Sequence, residues 1–477
     1  MTKHTILFAA APLLVLTQPA NAQDAPPEQV EIESALTPLV TFRGEEAARP
    51  SLEERMEQLG IANASVAVYR DGELEWARGY GEGIDPDTLF QAASLSKAVA
   101  SAGIIALAME RGVSLDADIS GELAGLDLEL INPAGLPITL RQLLSHTNGA
   151  GVSGFPGYAD GTDVPTTAQV VMGEEPTNTA RVVISSERQG TFNYSGGGYT
   201  IAQHWAETVT GEPFPEIVDR LILEPLGMER SLFAALRRGD FPRENVALGY
   251  NGDGTEIPGG WNVYPEHAAA SLWTTPREYG LFALGLMDAL EGDPDAVLSE
   301  ELVREMTRVV DDGYALGIGV SDMDGAVRLS HSGSNRGYKS NFMAYPATDS
   351  VIVTMTGADN GWPLMGDIGR TANVTYDWPT TPLIVRDRLP ASEAEMEAFS
   401  GVYELQGNES IVVTIRPDEN GELRITAPSG ASWTMVRVGN ASWIDPNDAQ
   451  LITFEYREDG TLIASDGNQT FVRREAD

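Results

Sequence analysis

The distribution of strand-like and helix-like segments along the chain constrains the fold more than any other feature. "ASVAVYRDGELEWARGYG" alternates apolar and polar residues about Asp71-Gly72, a hairpin signal. Strand character returns only far downstream, in "GYALGIGVSD", "GAVRLSHSG" and "SVIVTMTG". The stretch between, about 113–300, reads as mostly helical with Gly/Pro-rich loops. Strands at both ends of a helical stretch can share a sheet only if the chain folds back on itself. The pattern predicts an antiparallel sheet faced by helices, with a helical lobe inserted: an α/β (α+β) sandwich, not a parallel wound sheet. No internal repeat is evident.

Flanking segments complete the organisation. Residues 1–22 read as a signal peptide, with Lys3 as the positive end, "ILFAAAPLLVL" as the apolar run and Ala20-Asn21-Ala22 as the cleavage site. The run is too short to span a membrane, so the expectation is an exported protein, periplasmic or secreted. Residues 23–50 read as a polar leader. "SLEERMEQLG" reads as a helix with Ser51 as N-cap, Glu54 completing a capping box and Gly60 as terminator. The main domain is expected over 51–385 and a linker over 386–395. Beyond it, "SIVVTIR", "GELRITA", "SWTMVRV", "QLITFEYR" and "TLIASD" alternate as short strands, with turn signals at Asn420-Gly421 and Asp459-Gly460. They predict a small antiparallel barrel or sandwich over 396–477.

Charge and cysteine count remove several classes of function. The chain carries 31 basic and 70 acidic residues, a net charge of −39. Such a field repels nucleic acid and anionic membrane. Absence of cysteine excludes disulfides, thiolate metal sites and Cys nucleophiles. No spacing of histidines and carboxylates reads as a metal site, and no cofactor is implied. Neither nucleic acid nor a membrane span is expected as a partner, and the oligomeric state is left open.

Among the 31 basic residues only Lys3, Lys97 and Lys339 are lysines. Lys97 follows Ser94 by three residues in "FQAASLSKAVASAGIIALAMERG", at the start of an expected helix, so both side chains lie on one face. A serine there sits in the field of the helix N-terminus, which favours developing negative charge. Its hydroxyl becomes a useful nucleophile only when a neighbour takes its proton. A lysine can lose its charge on burial, whereas arginine stays protonated. Position 97 therefore suits a cation that can become neutral.

The segments "LRQLLSHTNGAG", "FNYSGGGYTIAQHWAE", "EPLGMERSLF", "LWTTPREYGLF" and "HSGSNRGYKS" follow in that order. Together with S-x-x-K they resemble the serine β-lactamase and penicillin-binding-protein superfamily, most closely its class C-like branch of related hydrolases, esterases and D-amino-acid peptidases. The likeness covers about 50–385, and the C-terminal segment looks like the lipocalin-like appendage of some members. The resemblance implies Ser94 as acylating nucleophile, Lys97 as its proton partner, and Tyr194 as the tyrosine of Y-x-N. It places His331-Ser332-Gly333 on the K-T-G strand, in an H-x-G form, and the N–H groups of Ser334 and Ser94 in the oxyanion hole. His331 is then expected to polarise Tyr194 or contact substrate. His146 and Tyr199 are expected to be structural.

Two positions depart from that pattern. Gly196 replaces the asparagine of Y-x-N, which in β-lactam-handling members bonds the substrate's acyl amide. His331 replaces the lysine that meets the substrate carboxylate. Arg336 offers a cation for an anionic leaving group, or is a surface arginine. These departures point towards esters or peptides of another shape, so a carboxylesterase or peptidase is expected ahead of a β-lactamase or D,D-peptidase. A non-catalytic penicillin-binding-like scaffold or sensor is the reading from another class.

Overall fold

A computed structural model describes residues 25–323, 325–380, 382–427 and 432–474; the expected signal segment lies outside the described residues. Asp71 and Gly72 both take positive φ, 52° and 75°, the geometry of a tight hairpin turn. Their strands, Ala64–Arg70 and Glu73–Tyr80, end a six-stranded sheet whose other members come from far along the chain. The order runs Glu73–Tyr80, Ala64–Arg70, Ser350–Thr356, Tyr338–Tyr345, Ala326–Asn335, Gly319–Met323, with each neighbouring pair antiparallel.

The sheet is covered on both faces, so its central strands are apolar on both. Tyr69, Val351 and Val353 pack with Leu95, Ile105, Trp205 and Phe282 in the larger core. Val66, Val68 and Ile352 pack with Leu52, Met56, Leu364 and Ile368 in the smaller one. Helices Ser96–Arg111 and Pro276–Glu291 belong to the larger side; the stretch between them, expected to be mostly helical, instead holds one long helix, Gly196–Thr210, among short helical turns and loops. Helix Leu52–Leu59 carries the full Ser51–Glu54 capping box and ends on Gly60 at φ 65°.

The stretch expected as a polar leader is instead part of the fold. Helix Pro27–Ser34 places Ile32 in the smaller core, joined there by Leu36. Strand Val40–Phe42 then pairs in parallel with Ile384–Arg386, at the edge of the expected linker. Three buried apolar residues among polar neighbours suffice to anchor it, which a composition average conceals. Leu36 is 1% exposed, so Leu36→Ala is expected to cost about 2–5 kcal/mol in urea unfolding. A cost below about 0.5 kcal/mol would put this segment outside the core.

The C-terminal segment is a closed eight-stranded barrel, from Gly401–Leu405 to Thr470–Arg473. Its first and last strands pair directly, so no sheet edge is left open. Tyr403, Met435, Trp443 and Phe454 fill the interior. The barrel meets the rest of the chain through Val436 and Ile444, packed with Val40, Phe42 and Ile384. Arg55 Nη2 donates to Asn447 Oδ1 at 2.5 Å, and Arg388 pairs with both Glu45 and Glu422. These contacts involve helix Leu52–Leu59 and the 39–45 and 384–388 segments, on the smaller-core side of the sheet.

Candidate active site

Ser94 sits in a single turn, Ala93–Leu95, that leads into helix Ser96–Arg111. Ala93, just before it, holds φ at 51°, an uncommon value for a residue with a side chain. The neighbours over-determine this turn. Ser96 Oγ donates to Ala93 O at 2.5 Å and accepts from Leu272 N at 2.9 Å. Ser340 Oγ donates to Ala92 O at 2.6 Å. Backbone strain held in this way belongs to positions where geometry matters more than local stability.

Lys97 lies one turn on and is 2% exposed. Its Nζ donates to Ser94 Oγ at 3.0 Å and to Ala269 O at 2.8 Å. No carboxylate pairs with it among the described residues. The ammonium also lies 5.0 Å from the Tyr194 ring centroid and 5.6 Å from that of Tyr199. Ser94, Lys97 and Tyr194 are therefore brought together from a turn, a helix and the segment before helix Gly196–Thr210. Tyr194 is half-buried. Tyr199 is fully buried, its hydroxyl donating to Leu144 O at 2.7 Å, so it belongs to the core as its pattern suggested.

The strand Ala326–Asn335 runs beside the serine. A Cβ on Gly333 would stand 2.4 Å from Ala92 O, 2.4 Å from Ser340 Oγ and 2.9 Å from Ser94 N. Only glycine lets the strand approach the serine's backbone so closely. Gly333→Ala is expected to push the strand off the Ser94 turn and lower the melting temperature by about 4 °C or more. An unchanged melting temperature would show that the contact yields freely. Ser334, the next residue, is exposed. Asn335 ties the strand's end to Gln91 Oε1 at 2.7 Å and to Ala270 O at 3.0 Å.

His331 does not hydrogen-bond Tyr194. Its Nδ1 faces Ser332 O at 2.7 Å, so that nitrogen carries the proton and donates. Its Nε2 then accepts from the Tyr314 hydroxyl at 2.9 Å. The rings of Tyr194 and His331 stand 6.3 Å apart. Burial of the imidazole, with the Lys97 charge nearby, pushes the His331 pKa down to about 3. Proton release from His331 is thus complete well below pH 6, and His331→Gln is expected to leave any activity limb between pH 5 and 8 in place. Loss of such a limb would contradict this.

His146, expected to be structural, lies directly against Tyr194. It is fully buried, and its ring centroid lies 4.2 Å from that of Tyr194. Burial, then the charge of Lys97, holds its pKa well below the usual histidine value. Neither this contact nor the Tyr314–His331 bond has a signal in the sequence. Arg336 is exposed, with Nη2 donating to Asn251 Oδ1 at 3.2 Å. Lys339 is paired with Asp359 at 3.0 Å, away from Ser94's hydroxyl.

Gly196 opens helix Gly196–Thr210 within "YSGGGY". A Cβ there would meet Phe155 Cε2 at 2.7 Å, and one on Gly197 would meet Gly151 O at 2.6 Å. The loop 151–155 thus presses on the helix start, and a half-buried aromatic ring stands where a side chain at 196 would go.

Comparison with known proteins agrees with this architecture. Penicillin-binding protein 4 of Amycolatopsis lactamdurans is 23% identical over 366 residues, covering 73% of this chain and 94% of that protein. Esterase EstB of Burkholderia gladioli is 24% identical over 280 residues, covering 53% and 68%. The octameric penicillin-binding protein homologue from Pyrococcus abyssi superposes with a TM-score of 0.59 at 20% identity, covering 88% of this chain and 98% of that one. That likeness includes most of the chain and establishes the fold. The family model described as Beta-lactamase matches residues 49–374, so this chain belongs to the Beta-lactamase family and carries the fold of a hydrolase related to esterases and penicillin-binding proteins.

Proposed function

We propose that this chain is an exported serine hydrolase that cleaves an ester or amide bond through an acyl-enzyme on Ser94, in the manner of a carboxylesterase or peptidase. The observation that carries the reading is the buried Lys97 ammonium bonded to Ser94 Oγ at 3.0 Å. In acylation Ser94 Oγ attacks the substrate carbonyl carbon, and its proton passes to whichever of Lys97 and Tyr194 has already given up its own, since a charged ammonium has no acceptor. The resulting oxyanion is held by the N–H groups of Ser94 and Ser334. Collapse breaks the bond to the leaving group, which takes the proton from Tyr194. Water then attacks the acyl-enzyme with the same pair as base, releasing the acid and restoring Ser94.

The acyl side supports a substrate without an amide at the acyl α-position. Gly196 offers no side-chain donor or acceptor, and Phe155 fills the space where one would stand. An amide placed there loses its partner against an aromatic face, a cost of about 1–3 kcal/mol for each unpaired polar group. This favours esters or peptides with apolar acyl groups over a class C-like β-lactam or a D,D-peptide. Turnover of p-nitrophenyl butyrate, nitrocefin and a D-alanyl p-nitroanilide by the wild type tests the assignment. Preference for the ester or the anilide supports it. Rapid nitrocefin hydrolysis would make the chain a β-lactamase, and absence of turnover with all three would favour a non-catalytic scaffold.

A further inference from the structure

We propose that His146 is the positioning residue of Tyr194, fixing where its ring stands beside Lys97; the inference rests on the serine-hydrolase reading above. His146 holds three successive residues. Its carbonyl oxygen accepts from Asn193 N at 2.8 Å. Its ring lies against the Tyr194 ring, 4.2 Å between centroids at an interplanar angle of 40°. Its Nδ1 accepts from Ser195 N at 3.0 Å. The residues before, at and after the position are thereby tied to one side chain and its backbone.

The local sequence explains why such a hold is needed. Tyr194 precedes a helix whose first three residues are Gly196, Gly197 and Gly198. A run of three glycines is a weak start for a helix, and this one leans on the loop before it, with Gly196 N–H donating to Ser153 O at 3.1 Å and Gly197 N–H to Val152 O at 3.0 Å. The first turn therefore cannot fix Tyr194 by its own stiffness. Ser195 is the hinge between the two, capping Gly198 N through Oγ at 3.0 Å while its own N–H goes to His146.

A residue present only to fill space would look different. For Nδ1 to accept, the neutral ring must carry its proton on Nε2. That Nε2 is buried without a hydrogen-bond partner among the described residues, and the ring is enclosed by Phe192, Tyr199 and Tyr314. An orphaned buried donor is destabilising, a cost that leucine or phenylalanine would avoid. His146 also sits at φ 61°, a backbone state that disfavours most side chains. Both costs attach to the residue whose lone pair fixes Ser195, and its ring and carbonyl contact the residues on either side.

The test compares His146→Phe, which keeps a ring and loses the acceptor, with His146→Asn, which keeps an acceptor and suits the positive φ. Thermal melting reports folding, p-nitrophenyl acetate hydrolysis gives kcat and KM, and alkaline difference absorbance against Tyr194→Phe reports Tyr194 itself. In folded His146→Phe, kcat is expected to fall about 100-fold, as for a misplaced catalytic group. KM should stay within about threefold, since only transition-state contacts are lost. His146→Asn should recover at least about tenfold of that loss, a readout that mere packing would not give. The Tyr194 titration should move in His146→Phe and return towards wild type in His146→Asn. Wild-type kcat in His146→Phe, or a loss that vanishes after correction for folded fraction, overturns the proposal. If the wild type hydrolyses nothing, the functional reading fails, and the Tyr194 titration still decides: a shift supports positioning and no shift overturns it.

Discussion

Ser94→Ala is expected to lower kcat/KM for a short-chain p-nitrophenyl ester by at least about 1,000-fold, the scale on which serine nucleophiles fail when removed. The substitution deletes one oxygen from a half-buried position and leaves the turn's other bonds intact, since Ser96 and Ser340 hold Ala93 and Ala92. Lys97 keeps its bond to Ala269 O at 2.8 Å. Melting temperature should therefore change little, which separates lost chemistry from lost fold. Residual activity within tenfold of wild type in a folded protein would mean that another group carries the reaction.

Lys97→Met is expected to cost about 100- to 10,000-fold in kcat/KM, the range of a general acid–base group. Methionine has nearly the length of lysine without its charge or donors. The change strips Ser94 Oγ of its hydrogen-bond partner and leaves Ala269 O without its 2.8 Å donor. A modest loss of stability should accompany it, about 1–3 kcal/mol for the orphaned buried carbonyl. Lys97→Arg tests whether charge alone suffices, because guanidinium cannot give up its proton. Both variants should be slow in acylation. Near-normal turnover in Lys97→Arg would show that position 97 needs only a cation.

Much of this arrangement was legible in the sequence, because its signals are local. The Asp71-Gly72 turn, the Ser51 capping box and the Gly60 terminator each act through their own backbone, and each stands where its residues indicated. Asn420-Gly421 and Asp459-Gly460 likewise lie between successive barrel strands. Ser94 and Lys97 are three residues apart, so a helical turn was enough to bring them together. The barrel's shorter strands, such as Ser442–Ile444, were too brief to show a period.

What escaped depended on long-range contact. His146 bonds a residue 49 positions away, and its sequence context marks only a loop. Tyr314 reaches His331 from outside any strand, so no alternation singles it out. The clash that Phe155 imposes at Gly196 is a matter of shape, which a string of letters does not carry. Residues 25–50 were misread because Ile32, Leu36 and Val40 are spaced through polar sequence, yet each finds a core made by distant segments.

The most direct test of the central claim is the intact mass of the protein after incubation with a fluorophosphonate, followed by peptide mapping. The account expects a single covalent adduct on the peptide carrying Ser94, formed by wild type and absent from Ser94→Ala. An adduct on another residue, or none in the folded wild type under conditions that label a control serine hydrolase, would contradict it.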